Sequence, residues 1–296
     1  MPSRQRLSTR EAIALGALQG PTELLPVSSS AHTTLVPWLA RRPYLKLDRE
    51  LRKSFEVALH TGAALALAID MRGELIDAAR GLSRRRLAVI ALSLSPPVLA
   101  GYTLERPIEQ GLGGPRSIAA GLIAGALAMA LADMQPRQGA DAATAGGHGA
   151  GRSGELARGA RRQEDAGPRD GLALGLAQAV ALIPGVSRNG ATLTAARARG
   201  FAREDAQTLS WHAGLPVIAG ASALKAWRLR RGGIPAGAGS ALAAGAGSAF
   251  VSTAASARLL RRPRVSGRGL LPYALYRCTI AAIALLRLHR TQNMNG

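Results

Sequence analysis

Long uncharged windows alternate with short clusters of arginine along this chain. Mainly apolar runs cover residues 87 to 104, 117 to 132, 171 to 187, 206 to 224 and 232 to 257. A helix needs roughly 20 apolar residues to cross the hydrocarbon layer, somewhat fewer where neighbouring helices shelter its ends. The pattern therefore predicts an all-α polytopic membrane protein. Spans are expected over 11 to 38, 55 to 70, 87 to 104 and 117 to 133, and again over 171 to 199, 206 to 224, 234 to 257 and 269 to 288. Residues 135 to 170 are rich in Gly, Ala and charge and show no apolar period. Such a segment cannot bury enough surface to fold alone. It is expected to be a polar, disordered loop between one repeat half, 11 to 134, and the other, 171 to 288, within a single membrane domain.

Each half opens on a segment of similar construction, GALQGPTELLPVSSSAH at 16 to 32 and GLAQAVALIPGVSRNGAT at 175 to 192. In both, an apolar run is broken by proline and then by small hydroxyl residues. Repeated halves with helices broken at Gly and Pro form a known membrane architecture, in which irregular backbone lines a protected polar cavity. The two breaks are expected to meet at one central site.

Composition modifies this picture in three places. The chain is 47% hydrophobic but only 3% aromatic, and its mean hydropathy of +0.08 is low for a helix bundle. The polar middle segment and the use of Ala and Gly in place of bulkier residues account for the dilution, and small residues are what closely packed membrane helices place at their contacts. A net charge of +20 would suggest nucleic acid if the basic residues shared one surface. Instead they lie between the apolar windows, at Arg41 and Arg42, Arg84 to Arg86, Arg228 to Arg231 and Arg258 to Arg268. That layout, with few stacking aromatics, excludes nucleic-acid binding. Basic clusters follow almost every span, so they assign no orientation. Cys278 is the single cysteine, which excludes an intramolecular disulfide. The N-terminus offers no cleavable signal peptide, so insertion relies on the internal helices.

In the first motif, Pro21 and Pro26 should each interrupt a helix, since proline lacks a donor and clashes with the preceding turn. The segment from 11 to 38 is then two short helices meeting at a break. Ser28 is placed to cap the second helix, with Ser29, Ser30 and His32 in its first turn. Free N–H groups and the positive end of the helix dipole point into that break, which suits a phosphate. Gln19 and Glu23, four apart, share a face if that stretch is helical. A carboxylate at this depth must be paired or bound to a cation, so Glu23 is either a functional residue or one neutralised by an arginine. His32 can supply or accept a proton near neutral pH.

In the second motif, Pro184 and Gly185 break the helix, Ser187 caps the next one and Arg188 projects from its start. Gly190 permits a close approach of ligand or backbone. The planar fork of Arg188 matches phosphate oxygens. Two further ionisable residues lie in apolar spans. Glu56, one turn from His60, is either a second acidic ligand or a partner for Arg188 or Arg277. Arg277 is divided between structural pairing and substrate contact. His148, in the middle segment, has no second ligand at metal spacing and reads as a solvated loop residue.

These residues resemble the bacterial undecaprenyl-diphosphate phosphatases of the bacitracin-resistance type. The likeness rests on [E/Q]xxxE followed by PVSSxxH, here Gln19 to Glu23 and Pro26 to His32, and on PGxSRxGAT, here Pro184 to Thr192. FEV at 55 to 57, LP at 215 to 216 and PYALYR at 272 to 277 add to it. The resemblance implies an inverted repeat of two halves with two re-entrant broken-helix pairs meeting at the site. It implies removal of the terminal phosphate from a long polyprenyl diphosphate, recycling the lipid carrier of cell-wall polymers and conferring bacitracin resistance. It implies a bacterial plasma-membrane location, a site open to the extracytoplasmic side, and a divalent cation, Mg²⁺ or Ca²⁺. By position Glu23 matches the family's acidic residue, His32 and Ser29 the alternative nucleophiles, and Arg188 the diphosphate-binding arginine. The expected metal ligands are Glu23, Gln19 and Glu56. Ser28, Ser30, Ser187, Asn189, Gly190, Thr192 and Arg277 are the expected substrate contacts. Gln19 stands where many members carry glutamate, and Asn189 replaces a common serine. The implied partners are the lipid substrate and membrane lipids, with homo-oligomerisation left open. A transporter or flippase for a phosphorylated polyprenyl lipid is the competing reading, because broken-helix repeats also build alternating-access sites.

Overall fold

The computed structural model describes residues 7 to 134, 161 to 233, 237 to 260 and 269 to 293. These residues are predominantly helical, with no strand among them. In the first half the helices are α1 (Thr9–Leu24), α2 (Ser29–Leu39), α3 (Arg49–Asp70), α4 (Arg72–Arg80), α5 (Arg84–Gly111) and α6 (Pro115–Met134). In the second they are α7 (Pro168–Val180), α8 (Arg188–Ala198), α9 (Arg203–Gly232), α10 (Gly239–Leu260) and α11 (Leu271–Asn293). Three of these, over Arg84–Leu104, Pro115–Met134 and Leu271–Asn293, are long and apolar enough to cross a membrane by length and composition. Their outward faces carry exposed apolar side chains such as Leu99, Leu131 and Leu286, an arrangement suited to lipid. The chain is a helical membrane protein, as its alternation of apolar and basic segments predicts.

The two halves exchange their leading helices. α1 packs on α10 of the other half, while α7 packs on α5 of the first. Each contact is made through two glycines four residues apart. A Cβ on Gly16 would sit 2.5 Å from the Gly245 carbonyl oxygen, and one on Gly20 2.4 Å from the Ser252 backbone. On α7, Gly171 and Gly175 approach the carbonyl oxygens of Val89 and Leu92, where a Cβ would fall 2.5 and 2.3 Å away. Bare backbone at these positions brings helix axes close enough for dispersion contacts to hold the pair where lipid offers no hydrophobic drive.

Proline inside these helices frees carbonyls four residues earlier, and polar side chains from other helices take them up. Pro21 does not end α1, contrary to the sequence expectation, and the helix runs on to Leu24. Ser252 of α10 donates to the Ala17 carbonyl that Pro21 leaves without its partner. Gln178 of α7 does the same at 3.0 Å for Ser93 of α5, the acceptor that Pro97 abandons. Neighbouring helices commonly satisfy backbone in this way at membrane depth.

The loop expected over 135 to 170 shortens at its far end. Residues 135 to 160, with His148, lie outside the described residues, but 161 to 170 are folded. Asp170 is buried in the first turn of α7 and holds Arg161 at 2.6 Å and Arg199 at 2.7 Å. The Arg161 guanidinium also stacks 4.2 Å over the Phe201 ring. Charge pairing to a buried carboxylate fixes a segment that its composition alone would leave unstructured.

Candidate active site

The break after α1 falls at Leu25 to Ser28, and it contains strained backbone. Ser28 has φ of 76°, a region that residues with a Cβ rarely enter. Such conformations persist only where their surroundings over-determine them. Here the Ser28 hydroxyl caps α2 by accepting from Ala31 N–H at 3.4 Å, and its carbonyl accepts from His32 Nδ1 at 2.7 Å. The second break, Ala181 to Ser187, turns at Gly185 with φ of 95°. Ser187 caps α8 by accepting from Gly190 N–H at 3.1 Å. Both caps stand where the sequence placed them.

Glu23, at the last turn of α1, is where the two breaks meet. Continuation of α1 through Pro21 puts Gln19 one turn below it, and Gln19 Nε2 donates to Glu23 Oε2 at 3.2 Å. Ser29, in the first turn of α2, donates its hydroxyl to the same oxygen at 2.8 Å. Arg188 reaches across from α8 and donates through Nη2 to Oε1 at 3.0 Å. The carboxylate is buried, 7% exposed, and a buried charge of this kind requires such partners. The structure thus unites Gln19, Glu23, Ser29 and Arg188.

The contribution of α3 differs from the sequence expectation. His60 Nδ1 lies 3.6 Å from Glu23 Oε2 and 3.2 Å from Gln19 Nε2. Glu56, one turn earlier and half-buried, acts electrostatically on Tyr44. The side chain that α3 brings to Glu23 is His60.

His32 faces another partner. Its Nδ1 meets a carbonyl, which can only accept, so Nδ1 carries the proton and Nε2 bears the lone pair of the neutral ring. Nε2 is 2.7 Å from the Tyr276 hydroxyl of α11, which donates to it, and the two rings stack with centroids 5.6 Å apart. Tyr276 was missed as a site residue, although the PYALYR similarity lay over it.

Several residues expected to contact substrate make hydrogen bonds within the protein. Arg277 is 1% exposed. It donates from Nη1 to the Pro26 carbonyl at 3.2 Å, from Nη2 to those of Gly185 at 3.0 Å and Gly121 at 3.3 Å, and from Nε to Leu122 at 3.2 Å. With its contact to the Met129 sulfur, the guanidinium is used up in tying the two breaks to α6. Of the two roles left open for Arg277, these contacts are those of structural pairing. Gly190 leaves room for that guanidinium, since a Cβ there would lie 3.0 Å from Arg277 Nη1. Asn189 and Thr192 are also turned inward. Asn189 donates to the Leu24 carbonyl and accepts from Ser210 at 2.7 Å, while Thr192 bonds Ser210 and the Arg188 carbonyl. Both side chains are buried. Ser30 is exposed beside Ser28, their hydroxyls 3.3 Å apart.

Two polar atoms of the site have no partner, Gln19 Oε1 and Arg188 Nη1. One is an acceptor beside a carboxylate and the other a cationic donor. No group of three His, Cys, Asp or Glu side chains that could hold a metal occurs among the described residues. Magnesium is often held by one or two carboxylates together with water and substrate phosphates. Glu23 with the unpaired Gln19 oxygen fits a cation of that kind, and the free Arg188 donor fits an anion beside it.

Fold and site together define a helical membrane protein with a carboxylate, an arginine and a serine gathered at two broken helices. The family model described as Bacitracin resistance protein BacA matches residues 12–283, and the chain belongs to this family. It is 38% identical over 287 residues to the undecaprenyl-diphosphatase of Geobacter metallireducens, covering 93% of this chain and 96% of the relative. It is 41% identical over 240 residues to that of Geobacter sulfurreducens, 76% and 78% covered. Identity to that of Pelobacter propionicus is 37% over 279 residues, 90% and 92% covered.

Proposed function

We propose that this protein removes the terminal phosphate of undecaprenyl diphosphate or a similar polyprenyl diphosphate, leaving the monophosphate carrier and inorganic phosphate. The observation that carries the reading is Glu23 bridging Ser29 at 2.8 Å and Arg188 at 3.0 Å across two helix breaks. Names of the relatives agree with it. Gln19 and Glu23 would hold a divalent cation, which when bound neutralises charge on the diphosphate oxygens. Arg188 and the free N–H groups at the starts of α2 and α8 supply the remaining positive potential. Phosphoryl transfer depends mainly on such positioning and electrostatics.

Among the candidate nucleophiles the geometry favours Ser29, whose hydroxyl already points its proton at Glu23. In the step this arrangement supports, Ser29 Oγ bonds to the terminal phosphorus and the bridging P–O bond breaks. The polyprenyl monophosphate leaves and the hydroxyl proton passes to Glu23. Water then releases phosphate from the serine. His32 is the less direct nucleophile, because Tyr276 occupies its Nε2 lone pair. In the same reading the two halves form an inverted repeat with re-entrant pairs at the breaks, supported by their exchanged leading helices. The site then opens to the extracytoplasmic side of the plasma membrane, as the family resemblance implies.

The test is phosphate release from a polyprenyl diphosphate by purified protein in detergent, with and without chelator, beside Glu23→Ala and Arg188→Ala, with mapping of any trapped phosphoenzyme. Chelator-sensitive release, lost in both variants and with phosphate on Ser29, is expected. No release from the unmodified protein refutes hydrolysis and leaves lipid transport. Phosphate trapped on His32 refutes the serine route alone.

A further inference from the structure

Arg188 lies against α9 at Gly214. A Cβ on Gly214 would fall 1.7 Å from Arg188 Nη1, 2.8 Å from Cζ and 3.5 Å from Nη2. No side chain, alanine included, can share that space with the guanidinium. Gly214 lies in the interior of α9 without a positive φ, so its lack of a side chain serves space and not backbone conformation. Glycine is less favourable than alanine inside a helix, which makes the position costly unless the vacancy is used. A Cβ on Gly220 in the same helix would meet nothing within 4 Å, so glycine is not a general need of α9. Other tight glycines differ in kind. At Gly62 the obstacle is the Ala246 carbonyl oxygen, 2.1 Å away, and backbone cannot step aside. At Gly214 the obstacle is the tip of a flexible arginine, which can.

The fork of Arg188 is therefore fixed at two points. Nη2 is held by Glu23 at 3.0 Å, and Nη1 is pressed onto Gly214 with no hydrogen-bond partner of its own. We propose that Gly214 is a positioning residue for the reaction. Its bare Cα is the seat that keeps the Arg188 guanidinium paired with Glu23. A side chain at 214 moves the fork off Glu23, since the three atoms nearest its Cβ all belong to the guanidinium. The inference rests on the reading of Arg188 as a diphosphate-binding residue and adds the feature that sets its position.

The experiment is a double-mutant cycle on the full-length protein in detergent, using Gly214→Ala, Arg188→Ala and both together, with Gly220→Ala as the control for stiffening α9. KM for a polyprenyl diphosphate, kcat and the unfolding midpoint are measured for each. Gly214→Ala is expected to raise KM about tenfold or more, the scale of losing a charge-assisted hydrogen bond, and to leave the midpoint in place. In the Arg188→Ala background the same change should alter KM less than about twofold, because the group it displaces is gone. An unchanged KM in Gly214→Ala overturns the proposal. So does an equal effect in both backgrounds, or a fall in midpoint that persists when Arg188 is absent. Wild-type KM in Arg188→Ala alone would instead remove the underlying diphosphate reading, and the seat with it.

Discussion

Arg277→Met separates the two roles that the sequence left open for Arg277. Methionine keeps an unbranched stem in the same space while removing every donor. The carbonyls of Pro26 and Gly185, both in breaks, would each lose the guanidinium that reaches them at 3.2 and 3.0 Å. A buried carbonyl left without a partner costs about 1 to 3 kcal/mol, so the two together cost roughly 2 to 6 kcal/mol. Removing a buried charge recovers part of this, and a net loss of about 3 kcal/mol is expected. In a chain of this size that corresponds to a fall in unfolding midpoint of about 5 to 10 °C, readable from the intrinsic fluorescence of Trp38, Trp211 and Trp227 in detergent. KM for the diphosphate, measured well below the midpoint, should stay within about threefold of wild type, because Arg188 and Glu23 are untouched. An unchanged midpoint with a KM raised tenfold would refute this reasoning and return Arg277 to substrate contact.

Tyr276→Phe should lower kcat by roughly tenfold, the scale of one orienting hydrogen bond, without raising KM, since Arg188 is held elsewhere. Steady-state kinetics check this, and an unchanged kcat would show that the orientation of His32 does not matter to turnover. At the rim of α7 the balance of forces on Asp170 has a pH signature. Burial raises its pKa, but the hydrogen bonds from Arg161, Gly167 N–H and Arg199 outweigh burial and hold the carboxyl well below its ordinary 3.8. A carboxyl depressed in the folded state stabilises the protein above its ordinary pKa and loses that contribution as pH falls below it. The unfolding midpoint should therefore drop on acidification below about pH 4, and less steeply in Asp170→Asn. Equal slopes in the two proteins would remove Asp170 from the account.

Apolar windows and caps were legible in the sequence because they depend on local residue type. Among the described residues the expected spans appear as helices, and Ser28 and Ser187 cap where small hydroxyls follow proline. Contacts made by residues far along the chain were not legible. Pro21 looks like a helix end until Ser252, 235 positions beyond Ala17, takes the Ala17 carbonyl that the proline strands. Glu56 and His60 are one turn apart on the same helix, and only the approach of α1 to α3 selects His60. The inward turn of Asn189 and Thr192 depends on Ser210, which carries no motif. The folded stretch at 161 to 170 depends on Arg199, beyond the break. Charge in an apolar span marked Glu23, Arg188 and Arg277 as exceptional, but the sequence could not say which of the two arginines meets the carboxylate and which meets backbone.

Arg277 follows Pro26 by 251 positions, and this imposes an order on biogenesis. During synthesis the first break enters the membrane long before α11 can reach it, so its carbonyl and strained serine must wait with provisional partners. A ribosome stalled before α11 would leave a protein with most of its helices inserted and neither bend locked.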